Sequence, residues 1–176
     1  MKETIQNRKL NRLKEYDYSS EGFYFITICT KKMVEWFGKI EKGEMTLSEE
    51  GRIANNQWLE IPRYYENIDI DEFVVLPNHI HGIIIIKDAI FGRTEHCSVP
   101  TINKNEHYGT VSKIIKSFKE IVSKNIRKQC RNYDFQWQRS FYDHIIRNEK
   151  SLQNIRNYVI NNQLKWESDK YNPINF

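Results

Sequence analysis

Two short runs of β-branched residues, joined by a turn pair, constrain the fold of this 176-residue chain more than any other feature. The first run ends at Leu76, the pair Pro77-Asn78 follows, and the second run closes with four isoleucines at residues 83–86. Isoleucine and valine favour extended backbone, and a Pro-Asn pair is typical of a tight connection. The segment therefore predicts two neighbouring strands.

Strand and helix patterns alternate along the rest of the chain. Residues 22–30 (GFYFITICT) predict another strand, and two short runs around Gly43 predict a hairpin in which this glycine takes a positive φ. Apolar spacing predicts helices after Ser48, over residues 111–128, and from about Asn148 through Leu164. Hairpins without a regular βαβ repeat favour an α+β fold, with an antiparallel sheet covered by helices on one face.

Length and composition favour one domain over residues 1–176. The longest apolar run has four residues, whereas a membrane helix needs roughly 20, and residues 1–14 lack the apolar segment of a secretory signal. Three well-separated cysteines do not suggest a disulfide framework. We therefore expect a cytoplasmic protein with no membrane partner.

The charge changes sign along the chain although the net charge is only +4. Acidic residues predominate between residues 35 and 88, and basic residues predominate from Lys104 onward and in an N-terminal arm over residues 1–18. Cations mixed with Tyr and Trp are typical of a surface that binds nucleic acid, although solvated helix faces have a similar composition. The candidate DNA contacts are Lys113, Lys116, Lys119, Arg139, Arg147, Arg8 and Arg12.

Residues 88–108 have no apolar period and predict a long mobile loop.

The sequence His79-Ile80-His81 carries the clearest chemical signal. Residues i and i+2 of a strand project to the same face, so both imidazoles can address one point. Two imidazoles can hold a divalent metal and leave coordination positions open for catalysis. The alternative is an inert, hydrogen-bonded pair. No cysteine lies within ten residues to suggest structural zinc, and Ile83 stands where a histidine-triad hydrolase needs a third histidine.

Tyr158 and Asn162 form a second candidate pair, four residues apart on the last predicted helix. That spacing puts both side chains on one face, so a phenol and an amide oxygen could converge on a metal-bound phosphate. The alternative is a packed tyrosine with its hydroxyl at the surface. Tyr142 is a rival nucleophile, although Ile146 occupies the position four residues later. His144 could be a base or a DNA contact.

Three linked segments resemble the REP-associated tyrosine transposases, which are single-tyrosine HUH (His-hydrophobe-His) enzymes related to the insertion-sequence single-strand transposases. The segments are residues 74–82 (VVLPNHIHG), residues 137–149 (WQRSFYDHIIRNE) and residues 155–162 (IRNYVINN). The similarity extends from about residue 16 to residue 166 and keeps the order of the motifs. One departure is Gln163, which stands where the family often has proline.

The resemblance implies a ferredoxin-like, palm-type HUH endonuclease fold and a specific activity. Enzymes of this family bind single-stranded DNA beside a hairpin, use Mg²⁺ or Mn²⁺, and cleave one phosphodiester through a 5′-phosphotyrosine. By position, His79 and His81 match the metal pair, Asn162 the third ligand and Tyr158 the nucleophile. The resemblance leaves open a domesticated hairpin-binding protein without cleavage activity. Between monomer and homodimer, we favour a monomer.

Overall fold

A computed structural model describes residues 17–87 and 109–175 of the chain. The predicted loop over residues 88–108 lies outside the described residues, as does most of the predicted N-terminal arm, including Arg8 and Arg12. The predictions made for those segments are therefore not tested by the structure.

The described residues form six strands and four α-helices. The strands are β1 (Gly22–Cys29), β2 (Gly38–Glu41), β3 (Glu44–Leu47), β4 (Ile68–Leu76), β5 (His79–Ile86) and β6 (Tyr142–Ile146). The helices are α1 (Glu49–Leu59), α2 (Ile61–Tyr64), α3 (Thr110–Gln129) and α4 (Glu149–Ile160). Short 3₁₀ helices cover Lys31–Met33, Gln163–Ser168 and Pro173–Asn175. None of the helices among these residues is long and apolar enough to cross a membrane.

Four strands form an antiparallel sheet in the order β4-β5-β1-β6, and β2 and β3 form a separate hairpin. Within the sheet, β4 places three residue steps from Ile70 to Phe73 against two steps of β5, so one extra residue interrupts the register as a bulge. The two-residue connection at Pro77-Asn78 joins β4 to β5 as predicted. The α+β class and the antiparallel sheet are thus confirmed.

Alternating side chains give the sheet two different faces. The apolar face, formed by Tyr24, Ile26, Ile28, Ile80 and Ile84, packs in one core cluster with apolar side chains of α1 and α3. The histidine face carries Phe25, Thr27, His79, His81 and Ile83, and its apolar members pack with Leu152 and Val159 of α4 and with Trp166.

The prediction that helices cover only one face of the sheet is therefore corrected, because α4 packs on the face opposite α1 and α3. The predicted extent of the last helix was also wrong. Helix α4 ends at Ile160, and Leu164 is 70% exposed on the following 3₁₀ helix. Gln163 begins that 3₁₀ helix, and its side-chain oxygen accepts a hydrogen bond from the backbone of Met45.

Side-chain hydrogen bonds cap the N-termini of α1 and α4. The Ser48 hydroxyl oxygen accepts a hydrogen bond from the Gly51 N–H at 3.0 Å, and the Asn148 side-chain oxygen accepts one from the Ser151 N–H at 2.9 Å. Gly43 has φ +79° in the β2–β3 turn, which confirms the predicted positive value. Helix α4 is also tied to the sheet, because the Arg156 guanidinium binds both carboxylate oxygens of Asp71 beside the bulge.

Candidate metal and nucleophile site

The two histidines of β5 converge as the spacing predicts. The Nε2 atoms of His79 and His81 lie 3.1 Å apart, and both side chains are almost fully buried, with exposures of 0% and 1%. That separation is comparable to the distance between neighbouring ligand atoms around one small cation. The arrangement is one in which a single metal ion could bind both rings.

Each imidazole is held through its other ring nitrogen. His79 Nδ1 is 2.8 Å from the side-chain oxygen of Asn78, and His81 Nδ1 is 2.9 Å from the hydroxyl oxygen of Thr27. Thr27 is the cross-strand neighbour of His81 on β1. Hydrogen bonds of this kind fix ring orientation and are common behind metal-binding histidines.

Burial keeps both rings uncharged. It lowers the pKa of His81 to about 3, with Lys170 adding a smaller repulsion. The pKa of His79 is also held well below its usual range, first by burial and then by repulsion from His81 and Lys170. A neutral imidazole retains a lone pair, which is the form that binds a metal.

The phenol of Tyr158 reaches the same point from α4. Its hydroxyl oxygen lies 3.2 Å from His81 Nε2, and the side chain is 38% exposed. Burial raises the pKa of Tyr158 above its usual range, and hydrogen bonding with the Asn162 side chain partly offsets the rise. Loss of the phenolic proton thus needs help from positive charge or a base.

Two further side chains carry oxygen atoms that could join the histidines around a cation. The Asn162 side-chain oxygen is buried and has no hydrogen-bond partner among the described residues, which is unfavourable unless the oxygen meets a ligand. A carboxylate oxygen of Asp169 lies within 4.8 Å of the ligand nitrogens of His79 and His81, and Asp169 is itself buried. Two imidazoles, an amide oxygen and a carboxylate fit a divalent cation.

Asp169 was missed by the sequence analysis because no period or motif marks residues 163–175. This C-terminal segment folds back over the histidine face, where the ring of Tyr171 lies 4.6 Å from that of His79, centroid to centroid. The Tyr171 N–H binds a carboxylate oxygen of Asp169 at 2.6 Å, which orients that carboxylate. Burial raises the pKa of Tyr171 to about 12.

An open cavity of about 610 Å³ lies against this group. Its walls come from β1, β5, β6, α4 and the C-terminal segment, and they include three phenols and two ammonium groups: Tyr142, Tyr158, Tyr171, Lys165 and Lys170. Tyr142 lies beside Thr27 across the β1–β6 pair, so the rival nucleophile is one strand further from His81 than Thr27 is. His144 also lines the cavity.

The predicted DNA-binding cations that fall within the described residues do not line the cavity. Lys113 and Lys116 are exposed on α3, which packs on the apolar face, and neither lines the cavity. The Lys119 ammonium donates to the backbone carbonyls of Gln138 and Ser140, at 2.9 and 3.0 Å, and burial lowers its pKa to about 8. Arg139 and Arg147 are exposed near the two ends of β6.

The architecture defines the class of fold. The structure is similar to that of a REP-associated tyrosine transposase bound to a REP hairpin, with a TM-score of 0.56 and 18% sequence identity. The similarity covers 88% of this chain and 74% of that chain. The resemblance drawn from the three sequence motifs is therefore confirmed at the level of the fold.

Sequence comparison places the chain among its relatives. It is 40% identical over 172 residues to an uncharacterized protein of Haemophilus influenzae. The aligned region covers 94% of this chain and 93% of that protein. The chain therefore belongs to the same protein family as that Haemophilus protein. No protein-family model matches the chain.

Proposed function

We propose that this protein is a metal-dependent single-stranded DNA transposase or endonuclease that cleaves and rejoins DNA beside a hairpin through a 5′-phosphotyrosine. The observation that carries the proposal is the approach of the Tyr158 hydroxyl to 3.2 Å from His81 Nε2, itself 3.1 Å from His79 Nε2. The hairpin carried by the structurally similar transposase supports DNA as the substrate class.

The residues that would hold Mg²⁺ or Mn²⁺ are His79 and His81 together with the side-chain oxygens of Asn162 and Asp169. When bound, such a cation polarises a phosphate and offsets the charge that develops on its oxygens. Because burial keeps the imidazoles of His79 and His81 neutral, their lone pairs are available to bind a cation at neutral pH. Lys165 and Lys170 add positive charge to the cavity wall, where a phosphodiester would lie.

Tyr158 is the group that reacts. After its proton passes to water in the open cavity, its oxygen attacks the phosphorus and forms an O–P bond. The bond from phosphorus to the 3′ oxygen breaks, the electron pair leaves with that oxygen, and water supplies its proton. The resulting 5′-phosphotyrosine keeps the number of phosphodiester bonds unchanged, so a second 3′ hydroxyl can reverse the step without ATP.

Covalent capture tests the proposal directly. Labelled single-stranded DNA carrying a hairpin is incubated with Mn²⁺ and protein, and the covalent protein–DNA adduct is measured. We expect Tyr158→Phe to reduce adduct formation by at least about 10³-fold, because no other atom of that side chain can attack phosphorus. Tyr142→Phe and Tyr171→Phe are matched controls, since both phenols line the same cavity. Adduct that depends on Tyr142 instead would contradict the assignment, and DNA binding without adduct would favour the non-cleaving, hairpin-binding alternative.

We further propose that one chain suffices, because the imidazoles and the phenol that meet here belong to the same chain. A mixture of the Tyr158→Phe and His81→Gln variants should then form no adduct. Recovery of adduct in the mixture would indicate a site shared between two chains.

The exposed cations Lys113, Lys116, Arg139 and Arg147, with Arg8 and Arg12, remain proposed contacts to the DNA backbone, as does Lys119. Lys113 and Lys116 lie on α3, which covers the apolar face of the sheet, whereas the cavity lies on the histidine face. DNA that contacts these lysines would therefore have to extend beyond the cavity. Binding is measured as a function of salt concentration, and the slope of log K against log[salt] reports the number of phosphate contacts. Replacing one such lysine with glutamine should make that slope shallower by about one contact. An unchanged salt slope would remove that residue from the interface.

A further inference from the structure

Asn78 is the one side chain in the described residues that links a candidate metal-binding histidine to two other segments by hydrogen bonds. Its amide nitrogen donates to the backbone carbonyls of Met33, at 3.1 Å, and Tyr171, at 2.8 Å. Its amide oxygen faces His79 Nδ1 at 2.8 Å, and the side chain has no exposed surface.

These contacts fix which way the amide points. Both hydrogens of the amide nitrogen are used by carbonyl oxygens, which can only accept. A flipped amide would turn its oxygen toward two other oxygens, so that three acceptors face one another without a donor, a costly arrangement. The oxygen of Asn78 must therefore face His79.

The orientation of the amide determines the tautomer of His79. An amide oxygen accepts only, so His79 Nδ1 must carry the hydrogen, and Nε2 then carries the lone pair. That lone pair points toward His81 and the cavity group. The Nδ1 contact of His81 imposes no such constraint, because the Thr27 hydroxyl that faces it can either donate or accept.

We propose that Asn78 is a positioning residue that sets His79 in its metal-binding tautomer before any metal arrives and couples that ring to the C-terminal segment carrying Asp169. This inference deepens the proposed function and rests on it for the identity of the ligand, a divalent cation. Asn78 touches neither metal nor DNA in this role. It acts by removing the tautomer that would present a hydrogen, rather than a lone pair, to the cation.

The ring tautomer can be measured in the metal-free protein by long-range ¹H–¹⁵N correlation spectra, with His79→Gln identifying the His79 signals. We expect the wild-type ring to be protonated at Nδ1. Asn78→Ala should lose this preference and weaken Mn²⁺ binding, measured by calorimetry, about 10- to 100-fold. Asn78→Asp keeps an oxygen that accepts from Nδ1 and should retain the tautomer, although its second oxygen cannot donate to Met33 and Tyr171 as the amide nitrogen does.

Asn172→Ala is the matched control for a loosened C-terminal segment. Asn172 is also buried, and its side chain holds that segment through Trp166 and Ile174 without touching a histidine. This variant should leave the His79 tautomer unchanged. A wild-type His79 protonated at Nε2 would overturn the proposal, as would an Asn78→Ala variant whose tautomer or Mn²⁺ affinity, within twofold, matches the wild type.

Failure of this inference is distinguishable from failure of the proposed function. If the wild type binds no Mn²⁺, the proposed function fails, while the tautomer measurement still decides the role of Asn78. If Asn78→Ala is unfolded, the spectra of the wild type and Asn78→Asp still decide it, and loss of the Nδ1 hydrogen in Asn78→Asp counts against the proposal.

Discussion

The two faces of one four-stranded sheet serve different purposes in this protein. On the apolar face, Ile26, Ile28 and Ile80 belong to one buried cluster with apolar side chains of α3 and the ring of Trp58, and burial of this apolar surface stabilises the fold. On the histidine face, the same strands present Thr27, His79 and His81, which are buried polar groups that cost free energy unless partnered. The comparison shows that the apolar face buries mainly hydrocarbon, whereas the histidine face also buries the polar groups of the candidate site.

The largest effect on stability should come from the apolar face. Trp58→Ala removes a fully buried ring that contacts Phe73 and Phe118, and we expect it to lower the free energy of unfolding by about 3–5 kcal/mol in denaturant titrations. Tyr64→Ala, at an exposed aromatic, should change it by about 0.5 kcal/mol or less. If Trp58→Ala cost no more than Tyr64→Ala, the division of labour between the faces would be wrong.

Binding of a metal ion at the histidine face should stabilise the folded protein. At a Mn²⁺ concentration about 100 times the dissociation constant, binding should add about 2.7 kcal/mol to the free energy of unfolding. His81→Gln keeps a polar side chain but removes the imidazole, so the gain should disappear. The measurement is thermal unfolding with and without Mn²⁺. Retention of the full gain in His81→Gln would place the cation elsewhere.

Gly82 tests how closely α1 packs against the apolar face of the sheet. It follows His81 on β5, and a Cβ at this position would collide with the ring of Trp58 on the apolar face. Gly82→Ala should therefore lower the free energy of unfolding by about 1–3 kcal/mol. In a Trp58→Phe background the smaller ring should reduce that cost. Equal costs in both backgrounds would show that the ring of Trp58 is not the obstacle.

The pH dependence of stability should reveal the buried imidazole of His81. In the metal-free protein, the pKa of His81 is about 3, below the usual value of 6.5. Between those values the unfolded chain binds a proton that the folded chain does not, so stability is present above pH 6.5 and falls as the pH is lowered. The slope from this one group is about 1.4 kcal/mol per pH unit. His81→Gln should show a correspondingly shallower decline between pH 6 and pH 4; an unchanged slope would mean that His81 titrates normally.

Much of the sheet and part of the site could be predicted from local patterns. The β4–β5 connection at Pro77-Asn78 and the shared face of His79 and His81 follow from strand propensity and a period of two residues. Helix α3 covers Thr110–Gln129, close to the predicted residues 111–128, because its apolar spacing is regular.

Other features depended on contacts that no local pattern encodes. Lys119 was predicted as a DNA contact because it lies in a basic segment, yet its ammonium donates to two backbone carbonyls of the segment before β6. Leu164 matched the apolar spacing of the last helix, but the backbone changes to a 3₁₀ helix at Gln163 and turns that side chain to solvent. Asp169, Lys170 and Tyr171 belong to a segment without period or motif, and reach the histidines only because the chain folds back.

The sequence by itself determined that two imidazoles share one face of a strand, since backbone geometry makes that fact local. It also predicted that Tyr158 and Asn162 share one face of the last helix, whereas Asn162 lies two residues beyond the end of α4. Only the tertiary structure decided that these faces meet, that Asp169 joins them, and that Asn78 faces His79 through its oxygen. The physical reason is that burial and hydrogen bonding between distant segments choose among the many arrangements that local geometry allows.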